Sequence, residues 1–254
     1  MASEQSGNDV ALVTGSSRGI GAAIARRFAR EGAKVVLHGR DTNALLAVVR
    51  EIEQSGSTVA HVTGDVTIFA EIERMRAEVE EKFGPVDILV ANAGGSFTQP
   101  GPLEELPEDG WRASIDGNLT ATFLTIKSVL PGMKARKSGN IITLSSAAAR
   151  RPYPQSPIPY AAAKAGIQIL TRVLAAQAGP FGIRANCIAP ESILTERNIE
   201  RIPDAQKTSL LDMHPIKRLG TPDDVANAAV FLVSDQSGWI TGVVLDLAGG
   251  SVMV

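Results

Sequence analysis

The chain has 254 residues, 44% of them hydrophobic and 20% charged, with a formal net charge of −2. That is the length and balance of one α/β domain, and a near-neutral chain argues against nucleic acid as its main partner. No apolar run approaches the ~18 residues needed to span a bilayer, and the polar, acidic start MASEQSGND does not read as a secretion signal, so a cytoplasmic location is expected.

The single Cys187 can form no internal disulfide, which fits a reducing compartment. It reads as a small buried strand residue rather than a nucleophile. No metal site is expected. Residues 1–9 read as a polar tail and 10–254 as one domain, with no linker, composition shift or repeat inside it.

Val10 to Thr14 reads as a buried strand. Gly15-Ser-Ser-Arg-Gly-Ile-Gly21 follows at once and opens a helix that runs to about Arg30. A strand, a glycine turn and a helix start form an anion cradle, because backbone N–H groups and the helix dipole face the ligand. Gly15, Ser17, Arg18, Gly19, Ile20 and Gly21 are therefore candidates for holding a dinucleotide.

Lys34 to His38 is a second strand, with Gly39 and Arg40 at its end. A guanidinium there suits a ribose 2′-phosphate, and Arg18 could approach the same group. Asp41 reads either as the acid that holds unphosphorylated ribose or as the N-cap of the helix from Thr42 to about Gln54. NADP(H) is favoured, and NAD(H) stays open.

Thr58 to Val62 is a third strand, followed by Gly64-Asp65-Val66. Asp65 either meets the adenine or caps the helix from about Ile68 to Phe83. Val86 to Ala91 is the fourth strand and leads into Asn92-Ala93-Gly94-Gly95, a second glycine turn where backbone can approach the cofactor. Ser96 to Asp109 reads as a proline-rich loop, and one helix is expected from about Trp111 to Met133 with Asn118 within it.

Asn140 to Leu144 is the fifth strand and ends at Ser145-Ser146. An alanine-rich helix is expected from Tyr160 to about Ala178, then a sixth strand from Ile183 to Ala189. Pro190 to Leu219 reads as a long irregular connection, the kind that forms lids and binding elements. A helix from Pro222 to Val233 and a strand from Gly242 to Leu247 complete the alternation. The pattern predicts a single-domain α/β Rossmann fold with a doubly wound, mostly parallel seven-stranded sheet.

Tyr160 and Lys164 stand four apart, so a helix projects both from one face. A neighbouring ammonium is expected to lower the phenol from its usual pKa of about 10, which would let it exchange a proton with a carbonyl or alcohol oxygen. A serine at the strand end could hold that oxygen. A surface Tyr and Lys on an ordinary helix would show the same spacing.

With these pieces in order, the chain resembles the short-chain dehydrogenase/reductase family over roughly Val10 to Gly250. The resemblance rests on TGSSRGIG (Thr14–Gly21), GDV (Gly64–Val66), NAG (Asn92–Gly94), Asn118, the serine pair with Tyr160-x-x-x-Lys164, and Asn186. It implies that Tyr160 is the general acid and base. Lys164 would lower its pKa and bind the nicotinamide ribose, Ser146 would hold the substrate oxygen, and Asn118 would anchor a water that connects Lys164 to solvent. It implies cofactor contacts at Asp65, Val66, Asn92, Ala93, Gly94, Pro190, Ile193 and Thr195, and a homotetramer.

Three stretches depart from the family pattern. Pro190 is followed by Glu191 where glycine is usual, the last motif reads Ala248-Gly249-Gly250, and the loop before Tyr160 carries Arg150-Arg151-Pro-Tyr-Pro. Tyr153 is expected to line the substrate entrance.

The likeness is greatest to 3-oxoacyl-acyl-carrier-protein reductases. The expected partner is a small carbonyl or alcohol, free or carried by acyl-carrier protein. Arg150, Arg151, Arg197 and Arg201 could meet an acidic carrier or form a solvated basic face. A NAD-dependent alcohol or sugar dehydrogenase is the alternative. A non-catalytic nucleotide-binding regulator would be expected to lack Tyr160, Lys164 or Ser146, and all three are present.

Overall fold

Val10-Ala-Leu-Val13 is apolar throughout and every side chain in it is buried, as expected of a strand covered on both faces. It is β1, the centre of a sheet in a computed structural model that describes residues 8–153, 156–201 and 204–253. The remaining strands are β2 (Lys34–Gly39), β3 (Val59–Thr63), β4 (Ile88–Ala91), β5 (Gly139–Leu144), β6 (Ile183–Pro190) and β7 (Val244–Leu247). The sheet order is β3-β2-β1-β4-β5-β6-β7, and all six neighbouring pairs are parallel. Most of the expected polar tail, residues 1–7, lies outside the described residues.

Between strands run α1 (Gly19–Arg30), α2 (Thr42–Gln54), α3 (Phe69–Phe83), α4 (Glu108–Ile115), α5 (Ala121–Arg136), α6 (Ile158–Ala178), α7 (Glu196–Arg201), α8 (Asp204–Met213) and α9 (Pro222–Val233). One core cluster joins β1 and β2 to α1, α2 and α9 through Ile24, Phe28, Leu37, Leu45 and Val225. The other lies on the opposite face, with Leu89, Met133, Ile141 and Val79 fully or nearly buried. The strand order reverses at β1, which pairs with β2 on one side and β4 on the other. In such sheets ligands bind beyond the carboxyl ends of the strands at this point.

The structure corrects the sequence reading in five places, one of them β4, which starts at Ile88 and not at Val86. The helix expected from Trp111 begins earlier, at Glu108, and is interrupted by a π turn at Asp116–Thr120 that carries Asn118. The connection from Pro190 to Leu219 is not irregular, since Glu196-Arg-Asn-Ile-Glu-Arg201 and Asp204–Met213 are helical. Both stretches are rich in good helix formers, a signal the flanking prolines and glycine masked. Strand β7 starts two residues late because Gly242 has φ +75°, outside any strand conformation. Helix α6 starts two residues early, at Ile158. Among the described residues no helix is long and apolar enough to cross a membrane.

Candidate active site

The glycine turn after β1 packs directly against the turn after β4. A Cβ on Gly15 would lie 2.8 Å from the Ala93 Cα, and one on Gly21 would meet the Gly15 carbonyl and lie 2.6 Å from Asn92 Nδ2. Asn92 Nδ2 donates to the Thr14 and Gly15 carbonyls at 2.9 and 3.0 Å. Thr14 Oγ1 accepts from the backbone N–H of Asn92 and of Ala93. The first turn of α1 has no side-chain cap, so its backbone N–H groups face the cradle uncommitted, as an anion requires. On these two observations the residues present fit a dinucleotide.

His38 completes the cradle, a role the sequence reading did not give it. It is 3% exposed. Its Nδ1 accepts from Gly15 N–H at 3.3 Å, and its Nε2 lies 3.1 Å from the Gly64 carbonyl, which fixes the Nε2–H tautomer. Burial holds its pKa below the usual value. The only sequence signal was a polar residue at the end of the apolar run Val35-Val-Leu37.

At the adenosine side, Asp41 caps α2 with Oδ1 to Ala44 N–H at 3.1 Å and pairs through Oδ2 with Arg18 Nη2 at 2.8 Å. The N-cap reading of Asp41 therefore holds. The Arg18–Asp41 side chains are 66% and 50% exposed, so the pair contributes about 0–1 kcal/mol and an arriving phosphate can open it. Arg40 is exposed and makes no ion pair among the described residues. Asp65 is not a helix N-cap. Its Oδ1 accepts from Thr67 N–H and Oγ1 at 2.9 and 2.7 Å, and these bonds hold its carboxyl below the usual value. Val66 is buried in the core.

The two serines after β5 diverge. Ser145 is buried, donates to the Lys164 carbonyl at 2.8 Å and accepts from Gln168 Nε2. Ser146 caps a short 3-10 turn, accepting from Ala148 N–H at 3.2 Å, and lines the same cavity as Tyr160, near enough for its hydroxyl to work against the rise in the phenol's pKa. Lys164 is 4% exposed and donates through Nζ to the Leu144 carbonyl at 2.8 Å. Its Nζ lies 5.7 Å from the Tyr160 ring centroid.

The phenol is not lowered, contrary to the sequence expectation. Burial pushes Tyr160 above its usual value, against the smaller opposing effect of Ser146. The ammonium that was to lower it is spent on Leu144 and is itself brought down to about 8 by burial. At neutral pH the pair is thus a protonated phenol and a mostly protonated lysine.

Asn118 is fully buried. Its Nδ2 donates to the Gly95 and Ser114 carbonyls at 2.9 and 2.8 Å, and its Oδ1 accepts from Gly95 N–H. The π turn aims this amide at the second glycine turn, and such turns often sit at functional positions. Asn186 is structural here, since it ties β6 to Ile240 and Val243. Cys187 is buried and burial raises its thiol pKa, as an inert core residue should show.

Ser146, Tyr160, Ile20, Pro190, Ile193 and Thr195 line one cavity of about 270 Å³, together with Tyr153, Arg151 and Glu191. Arg151 Nη2 lies 2.9 Å from Glu191 Oε1, and Ser251 Oγ donates to the other Glu191 oxygen. Arg150 forms a forked pair with Asp246, its Nε and Nη2 at 3.0 and 2.9 Å. Arg150 and Arg151 are thus engaged inside the protein, neither free for a carrier nor a solvated face. The Arg201 side chain lies outside the described part of the chain.

Residues 15–251 match the family model described as enoyl-(acyl carrier protein) reductase. The chain is 39% identical to the (2S)-[(R)-hydroxy(phenyl)methyl]succinyl-CoA dehydrogenase subunit BbsD of Thauera aromatica, over 96% of each chain. Two solved structures share the fold closely. One is a 3-oxoacyl-[acyl-carrier protein] reductase with bound NAD from Brucella melitensis, with a TM-score of 0.88 and 33% identity over 97% of this chain and 92% of that one. The other is a gluconate 5-dehydrogenase from Burkholderia cenocepacia in complex with NADP and tartrate, with a TM-score of 0.89 and 34% identity over 96% of this chain and 94% of that one.

Proposed function

The chain belongs to the short-chain dehydrogenase/reductase family, and from that premise we propose that it transfers hydride between NADP(H) and a ketone or secondary alcohol, with Tyr160 as acid and base. The observation that carries the reading is the Ser146–Tyr160 hydroxyl pair in the cavity wall, backed by the buried Lys164. When bound, the nicotinamide supplies or accepts the hydride.

The protein's part is positional and protic. Ser146 donates a hydrogen bond to the carbonyl oxygen. Tyr160 gives its proton to that oxygen as negative charge develops there, or takes it back in alcohol oxidation. A phenol held above its usual pKa is in the donating form at neutral pH, which suits reduction. Lys164 holds its Nζ 5.7 Å from the phenol ring, where the family resemblance gives it the nicotinamide ribose to bind. Asn118 belongs to the path that replaces the proton, working from the π turn its amide fastens to Gly95 and Ser114.

Preference for NADP(H) is supported by the engagement of both Asp41 oxygens and by Arg40 beside it, which makes no ion pair among the described residues. A 3-oxoacyl thioester is the substrate that the family resemblance suggests. Delivery by an acyl carrier through Arg150 and Arg151 loses its basis, because both guanidinia are internally paired. A homotetramer is supported by the apolar face that α5 and α6 leave exposed, with Phe123, Ile169 and Val173 between 47% and 57% exposed. A cytoplasmic site of action is part of the same proposal.

The test is oxidation of NADPH and of NADH against an acetoacetyl thioester, an activated aryl ketone and a cyclic ketone. Turnover with NADPH in at least tenfold excess over NADH is expected. Preference for NADH would move Asp41 into the ribose role, and absence of turnover with both cofactors would leave substrate choice open and raise the reading of a non-catalytic nucleotide-binding regulator.

A further inference from the structure

Arg151 and Glu191 occupy two of the three places where the chain departs from its family pattern, and the structure brings them together. They come from different elements, one from the loop after β5 and the other from the end of β6, and meet at 2.9 Å in the wall of the cavity that holds Ser146 and Tyr160. Their side chains are 32% and 13% exposed. A structural ion pair gains nothing from lining a substrate cavity, and a half-buried pair is weak evidence of stabilisation.

The hydrogen-bonding inventory of the pair is unfinished. A guanidinium has five N–H donors and a carboxylate about four acceptor positions. Among the described residues, Arg151 spends one donor on Glu191, and Glu191 receives Arg151 and Ser251. Donors and acceptors therefore remain side by side, with no net charge between them. Neighbouring Arg150 adds no competing charge, because Asp246 neutralises it.

We infer that the Arg151–Glu191 pair is the specificity element of this site and selects a substrate with a hydroxyl group close to the reacting carbon, a 1,2-diol or hydroxyketone. Such a hydroxyl can donate to Glu191 and accept from Arg151 at once. A plain alkyl chain would cover both charged groups and return no hydrogen bond, which is costly. An anionic substituent would be drawn by Arg151 and repelled by Glu191. The inference rests on the proposed hydride transfer at Ser146 and Tyr160, and in substrate class it departs from the 3-oxoacyl thioester that the family resemblance suggests.

The experiment compares trans-1,2-cyclohexanediol with cyclohexanol, in wild type and in Arg151→Leu and Glu191→Leu. It reads kcat/KM for oxidation with NADP+ and, separately, calorimetric binding of each alcohol to the NADP+-loaded protein. Wild type is expected to prefer the diol by about tenfold to a hundredfold in both readouts. Each variant is expected to bring that ratio close to one, and Glu191→Gln is expected to restore part of it. Equal losses on both alcohols, with the ratio intact, would reduce the pair to a structural tie and overturn the inference, as would a wild type indifferent to the second hydroxyl. Selective diol binding without turnover would sustain the inference while removing the proposed activity, so the two failures are separable.

Discussion

Gly15 and Gly21 lie against the backbone of Ala93 and the amide of Asn92 with no room for a methyl group, whereas Arg151 and Glu191 meet across the substrate cavity through long charged side chains. The cradle is a set of backbone contacts braced by Thr14, His38 and Asn92. The substrate wall is a set of side-chain contacts drawn from Arg151 in the loop after β5, Glu191 just after β6 and Ser251 in the C-terminal segment. A backbone cradle fits a ligand that every family member shares. A side-chain wall can be rewritten one residue at a time, and that is where this chain departs from the pattern. Ser146 and Tyr160 stand at the seam and carry the proposed proton transfer.

Four changes would break or sharpen that contrast. Ser146→Ala acts at the seam and is expected to lower kcat by roughly 10²–10³, the cost of one donor to a developing oxyanion, with NADPH affinity retained in fluorescence titration. Gly21→Ala acts within the cradle. Its methyl group meets the Gly15 carbonyl, so a loss of about 1–3 kcal/mol of stability is expected, with NADPH affinity falling at least tenfold. Denaturant unfolding and titration check the two parts. Arg40→Leu touches only the cofactor's edge and is expected to cut the NADPH/NADH ratio of kcat/KM by about tenfold while leaving the melting temperature in place.

The smallest effect belongs to His38. Its folded pKa lies below the usual 6.5 because of burial, so between the two values the unfolded chain binds the extra proton. Stability therefore rises with pH across that window and is lost as pH falls through it. Protonation also converts Nδ1 from acceptor to donor opposite the Gly15 N–H. Urea unfolding at pH 5.5 and 7.5 should show a pH dependence that shrinks in His38→Asn, and an unchanged dependence would remove His38 from the cradle.

The cradle was the legible part. Its glycines, Asn92 and Asp65 lie within short contiguous motifs whose spacing is dictated by backbone geometry, and the alternation of elements predicted the seven-stranded sheet. The wall was not legible, because Arg151 and Glu191 are forty positions apart and nothing local marks them as partners. The same holds for His38, whose bonds to Gly15 and Gly64 join three strand ends. Tyr160 shows a different limit. Its spacing from Lys164 was plain, but the direction of its pKa depends on burial and on where the ammonium points, and the Leu144 carbonyl claims that ammonium. The helices α7 and α8 were hidden by the prolines and glycine that flank them.

The most direct measurement is Tyr160→Phe assayed for both binding and turnover. NADPH is expected to bind with a Kd within about twofold of wild type while kcat for ketone reduction falls by roughly 10²–10⁴, the range for loss of a general acid. Turnover at the wild-type rate would contradict that expectation, because the proton would then reach the oxygen by another route.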